Sequence, residues 1–309
     1  FPVDRLVPLA SARSAGKTVS FCGGEVPIRE AVPEAFDGID IVLSAVGDEQ
    51  AQELLPEAVR RGAVCIDNSH AFRMDDDVPL VIPEINADDI ATHSGIISNP
   101  NCATTIGLVP LWPLHQAAGL IRVIASTYQA ASGAGKPGLD ELVRQIACVA
   151  SGEPIAETKP FAYQLVGNLI PQIGGFEDNA YTSEEMKFQN EGRKICHLPE
   201  LRVNCTCVRV PVMRSHSEAI TAEFERPIAP DEAREILSAA AGVKVVDDPE
   251  RLAYPMPLDT SDQDLIYVGR IREDVSAADG VHGLSFWCCG DQIRKGAATN
   301  AVQIAECLL

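Results

Sequence analysis

Basic residues are scarce in this chain: 25 Lys and Arg stand against 44 Asp and Glu over 309 residues, a net charge of −19. Nucleic acid and anionic membrane surfaces are polyanions, so neither suits this chain as a main partner. Basic residues gathered in a site therefore stand out against an acidic background. Long hydrophobic runs are also missing. No apolar stretch approaches the roughly 20 residues that span a bilayer, and the opening residues, Phe1-Pro2-Val3-Asp4-Arg5, have no signal-peptide pattern. The chain reads as soluble and cytoplasmic. Ten cysteines occur, yet none has Cys-x-x-Cys spacing; the close pairs are Cys205-x-Cys207 and Cys288-Cys289. That disfavours a zinc knuckle or dithiol redox motif, and scattered thiols without a secretory signal read as reduced. No metal site is expected, and there is no internal repeat or low-complexity tract.

A chain of this length with 46% hydrophobic residues can bury a large core and is long enough for two domains. Leu6 to Ala10, Thr18 to Phe21, the apolar run Ile39 to Val46, and Ala63 to Asp67 read as strands. Between the last two, apolar residues recur at helical spacing from Asp48 to Arg61, with Asp48 a candidate N-cap and Gly62 the stop. Strand, helix, strand at this spacing is a βαβ unit, so the first hundred residues read as part of a doubly wound parallel sheet. Beyond residue 102 the pattern changes. Longer, alternating strands (Ile121 to Ala131, Arg202 to Val212, Ser217 to Glu225, Asp264 to Arg272) and helices (Leu139 to Ala150, Ser183 to Ile195, Pro230 to Ala240) point to an α+β domain with an antiparallel or mixed sheet. Arg294 to Leu309 reads as a helix returning to cover the first domain. The expected division is therefore 1–101 with 290–309, and 102–289.

The junction carries Ser98-Asn99-Pro100-Asn101-Cys102-Ala103-Thr104-Thr105, between a strand-like run and an apolar helical run. A cysteine there has its sulfur at the first turn of a helix, where unpaired N–H groups and the helix dipole favour thiolate. Most cysteines are packing residues; the polar, turn-forming neighbours of Cys102 set it apart from the cysteines in strand patterns, and both readings stay open on context alone. Tyr128 to Pro137 ends a strand in a glycine-containing loop, either a cofactor-approaching loop or an ordinary turn. It is not a Walker P-loop, because the earlier glycine is absent and Pro137 stands where Ser or Thr would bind magnesium. Glu184 and Lys187 share a helix face, as a solvated ion pair or as something more specific. Arg209 and His216 stand at the two ends of a nine-residue stretch; a histidine at a strand rim is a general acid–base or a packing residue.

In combination these motifs resemble those of bacterial aspartate-β-semialdehyde dehydrogenases. The carriers are Ser-Asn-Pro-Asn-Cys102-Ala-Thr-Thr, Gln129 followed by Ser132-Gly133-Ala134-Gly135, Glu184-x-x-Lys187, and Arg209 through His216. The resemblance implies NADPH-dependent reductive dephosphorylation of β-aspartyl phosphate to aspartate semialdehyde. Cys102 is then the nucleophile, His216 the acid–base group and Gln129 the residue orienting the acyl group. Arg209 grips the substrate carboxylate and Glu184 its ammonium, while Asn101, Lys187 and Arg73 form the phosphate group. Ser11, Arg13 and Ser14 resemble the loop holding the adenosine 2′-phosphate, which favours NADP. Ala45, Gly47, Ser132, Gly133 and Asn300 are the other expected cofactor contacts, Asn300 facing the nicotinamide amide.

The resemblance also implies a Rossmann-like NADP-binding domain beside an α+β catalytic and dimerisation domain with a mixed sheet, in a homodimer or dimer of dimers. The family begins with a strand, a Gly-x-x-Gly-x-x-Gly turn and a helix, which this chain does not contain. About thirty residues are expected to be missing ahead of Phe1, if those elements have usual lengths, and NADP binding by the chain as written is expected to suffer. A reductase for N-acetylglutamyl phosphate and a non-catalytic homologue are the alternatives. The second is disfavoured because Cys102 and His216 are both present.

Overall fold

A computed structural model describes residues 1–309. The chain forms two compact units, residues 1–83, 87–99 and 301–309 in one and residues 84–86 and 100–300 in the other. The first contains β1 (Leu9–Ala10), β2 (Thr18–Phe21), β3 (Gly24–Pro27), β4 (Arg29–Glu30), β5 (Ile41–Ser44), α1 (Asp48–Arg60) and β6 (Val64–Asp67). After these come α2 (Pro83–Asn86) and β7 (Ile96–Ser98), then α3 (Cys102–Ala118), β8 (Leu120–Gln129), α4 (Gly135–Ser151), α5 (Ser183–Ile195), β9 (Arg202–Arg209) and β10 (His216–Phe224). The chain ends with α6 (Pro230–Ala239), β11 (Val243–Val245), α7 (Pro257–Thr260), β12 (Ile266–Glu273), β13 (His282–Gly290) and α8 (Thr299–Glu306).

In the first unit β5, β6 and β7 form a parallel sheet, with Ile41 opposite Val64 and Cys65 opposite Ile96. Alternation along β6 sends successive side chains to opposite faces. Cys65 packs with Ala51, Leu55 and Ala58 of α1 and with Phe36. Its neighbour Ile66 packs with Val81, Ile90 and Ile97 and with Ala301, Ile304 and Ala305 of α8. This is the doubly wound arrangement that the βαβ pattern predicts. Three local details differ. Gly47, not Asp48, is the N-cap of α1, and no side chain caps it; the Asp48 carboxylate is used elsewhere, accepting the His70 amide at 2.8 Å. The first strand shrinks to β1, and β2 pairs antiparallel with β3 in a hairpin absent from the sequence reading.

The second unit is built on a six-stranded mixed sheet in the order β11-β12-β13-β10-β8-β9. The β11–β12 and β8–β9 pairs are parallel and the others antiparallel. One layer of helices covers it: α5 on β9, α3 on β8, β10 and β13, and α6 on β11 and β12. α3 is buried along most of its length, including Ile106, Leu108, Leu111 and Leu114. The last helical stretch differs from the expected single helix over 294–309. Arg294–Ala298 is a π-helical turn and only then does α8 begin. Residues 290–300 belong to the second unit, where Lys295 is wholly buried and donates to Glu84 at 2.6 Å and Asn300 at 2.8 Å.

Ile304 is fully buried against the parallel sheet, so Ile304→Ala removes packed methylene groups and leaves a cavity. We expect a loss of about 2–5 kcal/mol in unfolding free energy, read from urea denaturation.

Candidate active site

The junction sequence builds a helix start around Cys102. Asn101 is the N-cap of α3, its Oδ1 accepting the amides of Ala103 at 3.0 Å and Thr104 at 3.2 Å. Cys102 is then the first helical residue and half-buried. Backbone pressure fixes it from a second side: a Cβ on Gly296 would stand 2.9 Å from Cys102 Cβ, closer than real side chains approach. Only glycine fits in that π-helical turn.

His216 opens β10 and reaches the same point. Its Nε2 lies 3.5 Å from Cys102 Sγ, while its Nδ1 accepts the Ala130 amide at 3.1 Å. With Nδ1 occupied as an acceptor, the neutral imidazole carries its proton on Nε2, facing the sulfur. Burial, followed by the nearby Arg209 charge, pushes His216 down to about 3 from its ordinary 6.5. The turn that delivers it is strained, with Ser215 at φ 73°. Gln292 holds that turn, accepting the Ser215 amide at 2.9 Å and donating to Ser132 Oγ.

Glu184 closes the ring of polar groups. Its Oε1 accepts from Asn101 Nδ2 at 3.0 Å and from Gln129 Nε2 at 3.1 Å, and its Oε2 takes Lys187 at 3.1 Å. Burial works against the charge, but Lys187 and the amide donors outweigh it and hold Glu184 at about 2. Gln129 is oriented by Thr127, whose hydroxyl donates to its Oε1 at 3.0 Å. A capping box sets the start of α5: Thr182 accepts the Glu185 amide and Glu185 returns to Thr182. The other Glu185 oxygen accepts the Cys207 amide at 3.0 Å, which ties α5 to β9. Arg209 ends β9, its guanidinium buried and donating to the Ala130 carbonyl at 2.6 Å. Burial lowers its pKa, opposed by Cys102 and Glu184. A Cβ on Gly133 would be 2.7 Å from Arg209 Nη1 and 3.1 Å from His216 Nε2, so the loop passes over both as bare backbone.

Asn101, Cys102, Gln129, Gly133, Glu184, Lys187, Arg209 and His216 therefore converge within the second unit. Ser132 is nearby with its hydroxyl engaged by Gln292. Asn300 is wholly buried and its Oδ1 accepts from Lys295, so this face of its amide serves a buried cation. The remaining candidates lie in the first unit. Arg73 is buried and donates to the Asn68 carbonyl at 2.8 Å. Ser11, Arg13 and Ser14 form a turn closed by a bond from the Ser14 amide to Ser11 at 2.8 Å, with Arg13 exposed and outside any ion pair. Ala45 and Gly47 follow the end of β5, both exposed. Two site residues escaped the sequence reading. Gln292 has no local signal. Glu191 accepts the Asn101 amide at 2.7 Å, and its spacing of four and seven from Lys187 and Glu184 puts it on their helix face.

Known proteins match at both levels. Residues 1–93 match the semialdehyde dehydrogenase NAD-binding-domain family and residues 111–295 the semialdehyde dehydrogenase dimerisation-domain family. Aspartate-semialdehyde dehydrogenase of Bacillus subtilis is 47% identical over 315 residues, covering 100% of this chain and 90% of that protein. The chain belongs to the aspartate-semialdehyde dehydrogenase family. The Campylobacter jejuni enzyme is 50% identical, covering 99% of this chain and 90% of its own. This coverage does not establish the amino-terminal loss expected above. Aspartate semialdehyde dehydrogenase II of Vibrio cholerae, solved in complex with ASA, aligns with TM-score 0.95 and 44% identity over 100% of this chain and 91% of that one. The Candida albicans enzyme, solved with NADP, aligns at TM-score 0.75 and 25% identity, covering 98% of this chain and 90% of that one. No helix is long and apolar enough to cross a membrane.

The low His216 value has a consequence for stability. Below pH 6.5 the unfolded chain takes a proton on this residue that the folded protein refuses until about pH 3, so stability falls with pH across that window. Glu184 adds to the fall below 4.5, its ordinary value. Glu218, buried and raised well above 4.5 chiefly by burial, acts in the opposite sense. A difference between variants isolates the histidine. Between pH 6 and 4 the unfolding free energy of His216→Gln should fall less steeply than that of the unsubstituted protein, by about 1.4 kcal/mol per pH unit. Equal slopes in urea titrations would show that His216 is charged in the folded state.

Proposed function

We propose that this chain, acting as a cytoplasmic homodimer, catalyses the NADPH-dependent reductive dephosphorylation of β-aspartyl phosphate to aspartate 4-semialdehyde. The observation that carries the reading is Cys102 Sγ at 3.5 Å from His216 Nε2, inside a ring of Asn101, Gln129, Glu184, Lys187 and Arg209, in a member of this family. The product semialdehyde is a branch compound for lysine, threonine, methionine and isoleucine synthesis.

The residues divide the work by charge and position. Arg209 offers a planar, always-cationic fork for the substrate α-carboxylate, and Glu184, ionised down to about pH 2, is matched to its ammonium. Lys187 and Asn101 are suited to the phosphate. The Cys102 thiolate attacks the acyl carbon; the carbon–oxygen bond to phosphate breaks with its electron pair, and a thioester remains. His216 holds its proton at Nε2, where it is shared with the sulfur or the acyl oxygen as negative charge moves between them. A doubly protonated His216 would need a proton on Nδ1, which already accepts the Ala130 amide, so the expected acid–base role narrows to Nε2. Gln129, whose Nε2 lies 3.4 Å from His216 Nε2, is placed to orient the acyl group beside the imidazole.

The first unit fits a dinucleotide with an extra phosphate: Arg13 is an exposed, unpaired cation among the hydroxyls of Ser11 and Ser14, and Ala45 and Gly47 lie past the carboxyl end of a parallel strand. NADPH, when bound, supplies the hydride that reduces the thioester carbonyl. The tetrahedral species on Cys102 then releases the aldehyde and returns the thiolate.

Activity is read as phosphate-dependent reduction of NADP by aspartate semialdehyde. Cys102→Ser should lower kcat by at least about a thousandfold while circular dichroism stays unchanged. Retained turnover excludes the mechanism. Arg209→Lys should raise KM roughly 10–100-fold through loss of the two-pronged contact. N-acetylglutamate semialdehyde, which has no ammonium for Glu184, should be turned over far more slowly; a preference for it would assign the chain to the sister reductases.

A further inference from the structure

In a capping box the N-cap side chain bonds the N3 amide, and an N3 Glu or Gln returns a bond to the N-cap amide. α3 contains only the first half of this device. Asn101 takes the amides of Ala103 and Thr104, but its own N3 residue is Thr104, which gives no acidic side chain to return. The Asn101 amide is met instead by Glu191 Oε2 at 2.7 Å, from α5, 90 positions along the chain. Glu191 is 1% exposed. Glu184, seven residues earlier on the same face, accepts from the Asn101 side chain. Two carboxylates of one helix thus grip the backbone and the side chain of the residue immediately before the nucleophile.

We propose that Glu191 is a positioning residue for Cys102, supplying from α5 the return half of the α3 capping box. The torsions of Asn101, φ −61° and ψ 145°, set the direction in which the chain enters Cys102. The Gly296 backbone passes so close that an added Cβ would stand 2.9 Å from the Cys102 Cβ, which narrows the room for Cys102 to shift. The requirement is for a hydrogen-bond acceptor, since a negative charge close to a thiolate opposes ionisation. Glutamine therefore satisfies the position and leucine does not.

The inference rests on Cys102 being the nucleophile, as proposed above, so one readout is independent of turnover: alkylation of Cys102 by iodoacetamide as a function of pH, followed by peptide mass. Glu191→Leu should lower kcat about 30-fold with KM within about threefold, and move the alkylation midpoint by about half a pH unit or more. Glu191→Gln should recover kcat to within about threefold of the unsubstituted enzyme. A folded Leu variant with unchanged kcat and alkylation profile overturns the proposal, as does a Gln variant as impaired as Leu. If Leu does not fold, hydrogen exchange in the unsubstituted protein decides: the Asn101 amide should be protected at least about a hundredfold, and exchange at the rate of an open amide overturns it. An inactive protein whose Cys102 alkylation still responds to Glu191 refutes the assigned reaction and leaves this inference standing.

Discussion

A buried carboxylate has to be satisfied, and in this protein the answer to that demand assembles the site. Removing an ion from water costs several kcal/mol unless partners replace the lost hydration. Glu184 is 8% exposed and recruits Lys187 from its own helix, Asn101 from the start of α3 and Gln129 from the end of β8. Three elements distant in sequence meet on one carboxyl group. Folding of this region and placement of the reactive groups are consequently a single event, because Asn101 cannot reach Glu184 without bringing Cys102 with it. The same logic explains why Glu184 stays ionised in surroundings where the unpartnered Glu218 is pushed the other way.

Rigidity around the sulfur comes largely from main chain. Gly133 and Gly296 bring backbone where a methyl group would collide with Arg209, His216 or Cys102. Ser215 is held in a left-handed conformation that a serine adopts at a cost, and the Gln292 contact is part of what stabilises it. Such strain is tolerated when the surrounding structure over-determines it, and it aims His216 at a sulfur on a different element.

Much of this was legible from residue patterns, and the failures share a cause. α5 spans Ser183–Ile195 as its residue pattern places it, and the Thr182–Glu185 capping box that starts it is local chemistry. Alternation predicted β8, β9, β10, β12 and a mixed sheet, while β13, which lies between β12 and β10, was not among the expected strands. Cys102 was recognisable as a candidate because a cysteine at a helix start, set among polar, turn-forming neighbours, is marked out by adjacent residues. Asp48 was misassigned as a cap because the residue competing for its carboxylate, His70, is 22 positions away. The Asn300 carbonyl oxygen accepts from Lys295, a buried cation whose partner Glu84 lies 211 positions away, and no local pattern marks that contact. Glu191 and Gln292 act on backbone amides far along the chain, and a backbone amide has no letter in a sequence. The π-helical turn is similar: its reason for existing is the close passage of Gly296 by Cys102.

Ala130 illustrates where function can reside. Its amide bonds His216 Nδ1 and its carbonyl anchors Arg209, so one residue adjusts the position of both the imidazole and the guanidinium. Neither bond uses its methyl group. Ala130 is fully buried, so the two bonds survive only exchanges that leave the main chain where it is, and a small rotation there alters both together. Information of this sort is stored in the path of the chain, and surveys that substitute side chains one at a time pass over it.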